Sequence, residues 1–222
     1  MTFSIIIPTY NKIDLLKSCI ESIQRNTDLS NGEVIVVCNG CTDGSKEYVQ
    51  SLGHPYKLLY WDEPLGYTKA ANIGLCVCKS EIAIMMNNDC QILDWGKNVW
   101  VPQLLEPFED PKVAVTGPYV SWRGYRPWVM FAIAAIRRNI ISKVGLLDES
   151  FSPGAGEDTD FCLRVQNHGY LVVSVPQPQT VYAVEYPVWH IGSLSMMDIP
   201  QVADVYKRNE QILRDRYGSK TG

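Results

Sequence analysis

An apolar run, Ile82-Ala83-Ile84-Met85-Met86, stops at Asn87-Asn88-Asp89. Such a run, free of charge and bounded by polar residues, suits a strand buried on both faces of a mostly parallel sheet. Ligands of open α/β sheets bind at the carboxyl ends of the strands, so these three side chains are expected in a crevice. Amide and carboxylate oxygens there suit a hard divalent cation and a phosphate group. They also suit a plain Asn/Asp turn. A second acidic group, Glu157-Asp158-Thr159-Asp160, follows a loop containing Gly154 and Gly156. Acids at a helix start are favoured by its dipole, and the glycines would let the loop approach a ligand closely. Cys38 and Cys41 form a C-x-x-C, which opens a redox or zinc reading.

The elements that must position these groups follow from periodicity. Phe3 to Ile7, Glu33 to Val37 and Leu58 to Trp61 read as strands. Between them, helices are expected after Asp14, after the Cys38 to Ser45 loop and over Thr68 to Cys78. Strands alternating with helices indicate right-handed crossovers and a parallel sheet. After Asp89 the pattern changes. Trp95 to Phe108 is expected as a helix and Val113 to Val120 as a strand. Trp128 to Ile136 and Ile140 to Leu147 are expected to pack against the sheet. A helix should run from Glu157 to His168, a strand from Leu171 to Val175, and Val181 to His190 is β-rich. An amphipathic helix over Ile199 to Tyr217 closes the pattern. The expectation is one α/β domain over 1–217, with a Rossmann-like parallel first half and a mixed central sheet. Its two halves are residues 1–90 and 91–217. Residues 218–222 read as a tail or linker, so the chain is expected to be one module of a longer protein.

The 222 residues, 46% of them hydrophobic, can build a substantial core, and a net charge of −4 gives no nucleic-acid footprint. No apolar run reaches the roughly 18 residues of a membrane span. The start of the chain lacks a basic segment, and Pro8 interrupts its apolar stretch, so a cytoplasmic location is expected. Seven cysteines, an odd number set in apolar segments, point to free thiols.

Several motifs occur in one order. They are Ser4-Ile5-Ile6-Ile7-Pro8-Thr9-Tyr10-Asn11, the loop Val36-Val37-Cys38-Asn39-Gly40-Cys41-Thr42-Asp43-Gly44-Ser45, and Glu63-Pro64-Leu65-Gly66 with Lys69, Asn72 and Gly74. Asn87-Asn88-Asp89, Val144 to Glu149, Glu157-Asp158-x-Asp160 and His190-Ile191-Gly192-Ser193 follow. Together they resemble the family 2 glycosyltransferases, nucleotide-sugar-dependent enzymes of GT-A fold. The resemblance covers most of the chain, from Phe3 to about Ser195. Each motif is weak alone; the ordered set is specific.

The resemblance implies a hexosyl transfer, with inversion, from a UDP-linked sugar to the hydroxyl of a glycan or other acceptor. A departing diphosphate must be neutralised, and Mn2+ or Mg2+ does this as a Lewis acid. Asp89 is the implied ligand, with His190 as a second. Asn87 stands where many relatives carry a carboxylate, and Asn-Asn-Asp variants occur in relatives resembling rhamnosyltransferases. The implied general base is Asp158. Asp160, four residues before Arg164, reads better as half of an ion pair. Nucleotide contacts are expected from Pro8, Thr9, Tyr10, Asn11, Cys38, Asn39, Gly66, Lys69 and Asn88. Cys38 replaces an Asp that accepts a hydrogen bond from the base, a role left to Asn39 or backbone groups. Acceptor or sugar contacts are expected from Trp122, Trp128 and Glu157. Two other readings stand beside this one: a catalytically weak sugar-nucleotide binding module, and a thiol redox protein using Cys38 and Cys41.

Overall fold

The first half of the chain folds as β1 (Phe3–Thr9), α1 (Ile13–Asn26), β2 (Gly32–Asn39), α2 (Ser45–Leu52), β3 (Tyr56–Trp61), α3 (Tyr67–Val77) and β4 (Ile82–Met86). Every residue of β1 and β4 is buried. Their faces explain why. Ile5 and Ile7 pack with Leu16 of α1, while Ile6, on the other side, packs with Ala70 and Ala71 of α3. A strand covered on both faces needs an unbroken apolar run, which these sequences supply. The closest approach is at Gly74, where a Cβ would lie 2.3 Å from Ile6 Cγ2.

The computed structural model describes residues 1–121, 124–175, 186–192 and 201–218. After β4 come β5 (Cys90–Ile92), α4 (Trp100–Leu105), β6 (Val113–Gly117), β7 (Val120–Ser121), β8 (Trp128–Val129) and β9 (Ile133–Arg137). Then follow α5 (Ile141–Val144), α6 (Glu157–Asn167), β10 (Leu171–Ser174), β11 (Val188–His190) and α7 (Val202–Tyr217).

One seven-stranded sheet runs in the order β10-β6-β9-β4-β1-β2-β3. Its neighbours pair in parallel except at β9, which is antiparallel to both β4 and β6. The sheet is therefore mixed at its centre, as expected. Beside it, β11 pairs antiparallel with β5, setting His190 opposite Cys90.

Three elements differ from expectation. The Trp95 to Phe108 helix shrinks to Trp100–Leu105 followed by a 3-10 turn. Gly96 and Asn98 take positive φ before it, and Pro102, lacking an N–H, fits only a first helical turn. The Val113 to Val120 strand breaks after Gly117, where Pro118 follows. Ile133–Arg137 does not pack against the sheet; it is a strand within it. A short apolar run has no periodicity to separate the two cases.

Candidate active site

The carboxyl ends of β1, β2 and β4 open onto a cleft of about 740 Å³, closed on the far side by the Ser152–Thr159 segment and α7. Pro8, Thr9, Tyr10, Asn39, Gly66, Asn88, Asp89, Trp128, Glu157, Asp158 and His190 all line it. Cys38, Asn11 and Lys69 do not. Cys38 is fully buried beneath the loop, and Lys69 is exposed on α3. Asn11 instead accepts a hydrogen bond from the Thr42 N–H at 2.8 Å. Trp122 lies outside the described residues.

The loops that follow β1, β2 and β3 are tied together from within. Asn39 Nδ2 donates to Thr9 O at 2.7 Å and its Oδ1 accepts from Leu65 N at 3.1 Å. Gly66, at φ 79°, abuts Pro153; a Cβ there would stand 2.7 Å from Pro153 Cα. This glycine is required by contact between the two halves of the cleft wall. Asp43 caps both neighbouring helices, accepting from Ile13 N and from Ser45 N and Oγ. Burial opposes its charge, but these hydrogen bonds outweigh burial and hold its carboxyl below the ordinary range. Cys38 and Cys41 are free thiols. Their mutual hydrogen bond, and then burial, pushes Cys38 up; the same bond lowers Cys41 against the opposing effect of burial.

The β5–β11 pairing brings His190 to Asp89. Asp89 Oδ1 lies 3.2 Å from His190 Nε2, and its Oδ2 accepts from Gly192 N at 3.2 Å. Asn87 Nδ2 lies 3.2 Å from the same Nε2. Cys90 Sγ completes a group whose ligand atoms lie within 4.8 Å of one another. Its thiol donates to Ala132 O at 3.2 Å, and burial pushes it well above its usual range. The donor set fits a divalent cation. A carboxylate oxygen and an imidazole nitrogen converge, and Asn87 Oδ1 is a buried oxygen with no hydrogen-bond partner. An amide oxygen is a ready ligand for a hard cation or its water.

Across the cleft, the acids of α6 fall into two environments. Asp160 is fully buried and saturated by Arg164 Nε at 2.7 Å, Arg216 Nη1 at 2.9 Å and Tyr217 OH at 2.7 Å. The expected ion pair with Arg164 is present, and α7 adds to it. Asp158 faces the cleft with fewer partners. Its Oδ1 accepts from Thr159 N at 2.7 Å and its Oδ2 from Phe131 N at 3.3 Å. Burial pushes its carboxyl up to about 6. Burial and then the Asp158 charge push Glu157 up to about 8. Glu157 Oε2 is buried without a partner. Two buried carboxyls side by side oppose each other's ionisation, so the pair as a whole gives up its protons later than ordinary carboxyls do.

A model of glycosyl transferase family 2 matches residues 4–154. The chain belongs to this family. The family 2 chain is 23% identical over 220 residues to the O-antigen biosynthesis protein RfbC of Myxococcus xanthus, covering 81% of this chain and 17% of RfbC. It is 33% identical over 91 residues to glycosyltransferase AglE of Haloferax volcanii, covering 39% of this chain and 30% of AglE. It thus spans less than a third of the length of either relative. Two solved structures share its fold. Mannosyltransferase PcManGT from Pyrobaculum calidifontis, in complex with GDP-Man and Mn2+, aligns at a TM-score of 0.65 and 19% identity over 81% of this chain and 55% of its own. GalNAc-T7 with UDP, GalNAc and Mn2+ aligns at 0.68 and 16% over 79% and 42%. The fold of the family 2 chain is GT-A. Among its described residues no helix is long and apolar enough to cross a membrane.

Sequence reasoning missed several cleft residues. Tyr67, Met130 and Phe131 line it, as do Tyr206, Asn209, Glu210 and Leu213 of α7. The α7 residues recur at helical spacing, so one face of that helix is the cleft wall. The available signal was Asn209, a polar residue at helical spacing between Val202, Val205 and Tyr206 on one side and Ile212 and Leu213 on the other.

Proposed function

We propose that this domain transfers a sugar from a UDP-linked donor to an acceptor hydroxyl, with inversion, in glycan synthesis. The observation that carries the reading is the pairing of opposites in one cleft. Asp89 and His190 stand ready for a cation on the β4 side, and a buried carboxylate with raised proton affinity stands on the α6 side. Mn2+ or Mg2+ held by Asp89 and His190, with Asn87 Oδ1 beside them, would act as a Lewis acid toward the diphosphate. Both similar structures hold Mn2+ with a nucleotide or nucleotide sugar, which supports this choice. Asp158 takes the proton of the acceptor hydroxyl as that oxygen attacks the anomeric carbon opposite the leaving diphosphate, the geometry that inverts the centre. A proton affinity near the working pH suits a general base. Glu157, protonated at pH 7, donates a hydrogen bond to the sugar or acceptor. Tyr10 offers its half-exposed ring to the base, and Trp128 offers its ring to a sugar face.

The test is a screen of nucleotide sugars for protection against thermal unfolding, with and without manganese, followed by a transfer assay on the donor found. A bound donor raises Tm by mass action. No protection by any nucleoside diphosphate sugar would overturn the reading. A second reading, a sugar-nucleotide binding module with little activity, is favoured by one observation: an amide at Asn87 leaves the cation site one charge poorer. Protection without release of nucleoside diphosphate, with or without acceptors, would select it.

A further inference from the structure

Asn209 sits on α7, outside the segment that the family model matches, and is 2% exposed. Its Nδ2 donates to three carbonyls of one loop: Phe151 at 3.0 Å, Gly154 at 2.8 Å and Ala155 at 2.7 Å. Its Oδ1 accepts from Arg208 Nε at 2.9 Å, and Arg208 Nη2 also donates to Ser152 O. The amide orientation follows from these partners, since only an NH2 can meet three carbonyls. Two hydrogens serve three acceptors, so one bond is shared. The loop needs such a hub. Ala155 and Gly156 take φ of 75° and 98° in succession, and a non-glycine residue held there persists only when its surroundings over-determine it. Gly156 packs against Phe151 and Leu213. The next residues are Glu157 and Asp158.

We propose that Asn209 is a positioning residue: it locks the Phe151–Gly156 loop and thereby fixes the Asp158 carboxylate against the acceptor side of the cleft. The inference rests on Asp158 acting as the base, but the lock itself is measurable without substrate. Removing the NH2 loosens the loop and admits water to Asp158, whose titration then moves down toward the ordinary carboxylate range. Glu157, Tyr67 and Cys162, the titratable groups whose charges interact with Asp158, are unchanged in the variants.

The experiment compares the parent with Asn209→Leu, which keeps the shape, adds no charge and loses the donors. The readouts are 13C-carboxyl titration of Asp158, amide exchange at Gly154 and Asp160, both hydrogen-bonded in this loop, and UDP affinity in Mn2+. The expected result is a lower Asp158 midpoint, exchange faster by roughly tenfold or more at those two amides, and unchanged UDP affinity. Asn209→Gln, which restores the NH2, should recover part of each change. If Asn209→Leu does not fold, Arg208→Ala, an exposed side chain, should move both loop readouts in the same direction by less. A folded variant with an unaltered Asp158 titration and unaltered exchange, whatever its Tm, overturns the proposal, as does weakened UDP binding. Failure of the catalytic reading has a separate signature, near-normal transfer by Asp158→Asn, and leaves these readouts untouched.

Discussion

On one wall of the cleft, Asp89 lies in the turn that joins β4 to β5, and β4 is buried on both faces and hydrogen-bonded to β1 and β9. Its backbone position is set by apolar packing that continues through Ile84, Ile5 and Leu16. On the opposite wall, Asp158 stands in the first turn of α6 after an irregular loop, and that loop and helix start are held by polar contacts. Asp160 is held by Arg164, Arg216 and Tyr217, the loop carbonyls by Asn209, and Leu147 by Asn72. Apolar packing is forgiving, because hydrophobic residues of similar volume substitute for one another at modest cost. Buried polar networks are not, because each lost partner leaves an unsatisfied group. The two sides should therefore respond differently to substitution.

The largest contrast should come from ion pairs. Arg164→Met leaves the Asp160 carboxylate, fully buried, short of its nearest cation, and should cost about 3 kcal/mol or more in urea unfolding. The exposed pair Arg25–Glu21, on the β4 side at 3.8 Å, should change by no more than about 0.5 kcal/mol when Arg25 is replaced by Met. Equal losses would erase the distinction. Next is catalysis. Asp158→Asn should lower transfer by roughly two orders of magnitude with donor binding intact; a variant that also loses the donor would place Asp158 on the sugar. On the opposite wall, Asp89→Ala should weaken UDP binding in manganese by about tenfold or more and leave binding in a chelator unchanged. His190→Ala should lose less, and a manganese effect that survives Asp89→Ala would remove the ligand role.

The smallest effect concerns pH. Burial pushes the Glu157 carboxyl up to about 8 in the folded protein, from an ordinary value of 4.5. Between those values the folded state binds more protons than the unfolded state, so this group's contribution to stability falls as pH rises. Glu157→Gln should flatten that decline, seen as Tm against pH. Transfer itself should rise with pH through about 6, as Asp158 ionises. An identical Tm profile in Glu157→Gln would show that the proton does not reside there.

What could be read from the sequence follows the same division. β1, β2 and β4 were legible because burial on both faces forces an apolar run, and the carboxyl end of such a strand is a predictable place for Asp89. Ile133–Arg137 was misplaced because the same signature has no direction and no partner in it. The Asp160–Arg164 pair was legible from helical spacing, whereas Arg216 and Tyr217 reach Asp160 across more than fifty positions, which no local pattern encodes. Asn39 and Asn209 were harder still. An asparagine that spends its amide on backbone carbonyls looks, in sequence, like one that meets a ligand or solvent.

The pairing of β5 with β11 also bears on how the chain reaches its native state. Asn87 and His190 lie 103 positions apart, so bringing the two strands together closes a long loop containing β6, β9 and α6. The entropy of such a closure is on the order of 4 kcal/mol, and contacts of this range form late in folding. A partly folded chain with only β1 to β4 assembled would present Asp89 without its imidazole. Tight binding of a divalent cation by both residues would thus report completion of the whole sheet, and would draw the folding equilibrium toward that state by mass action.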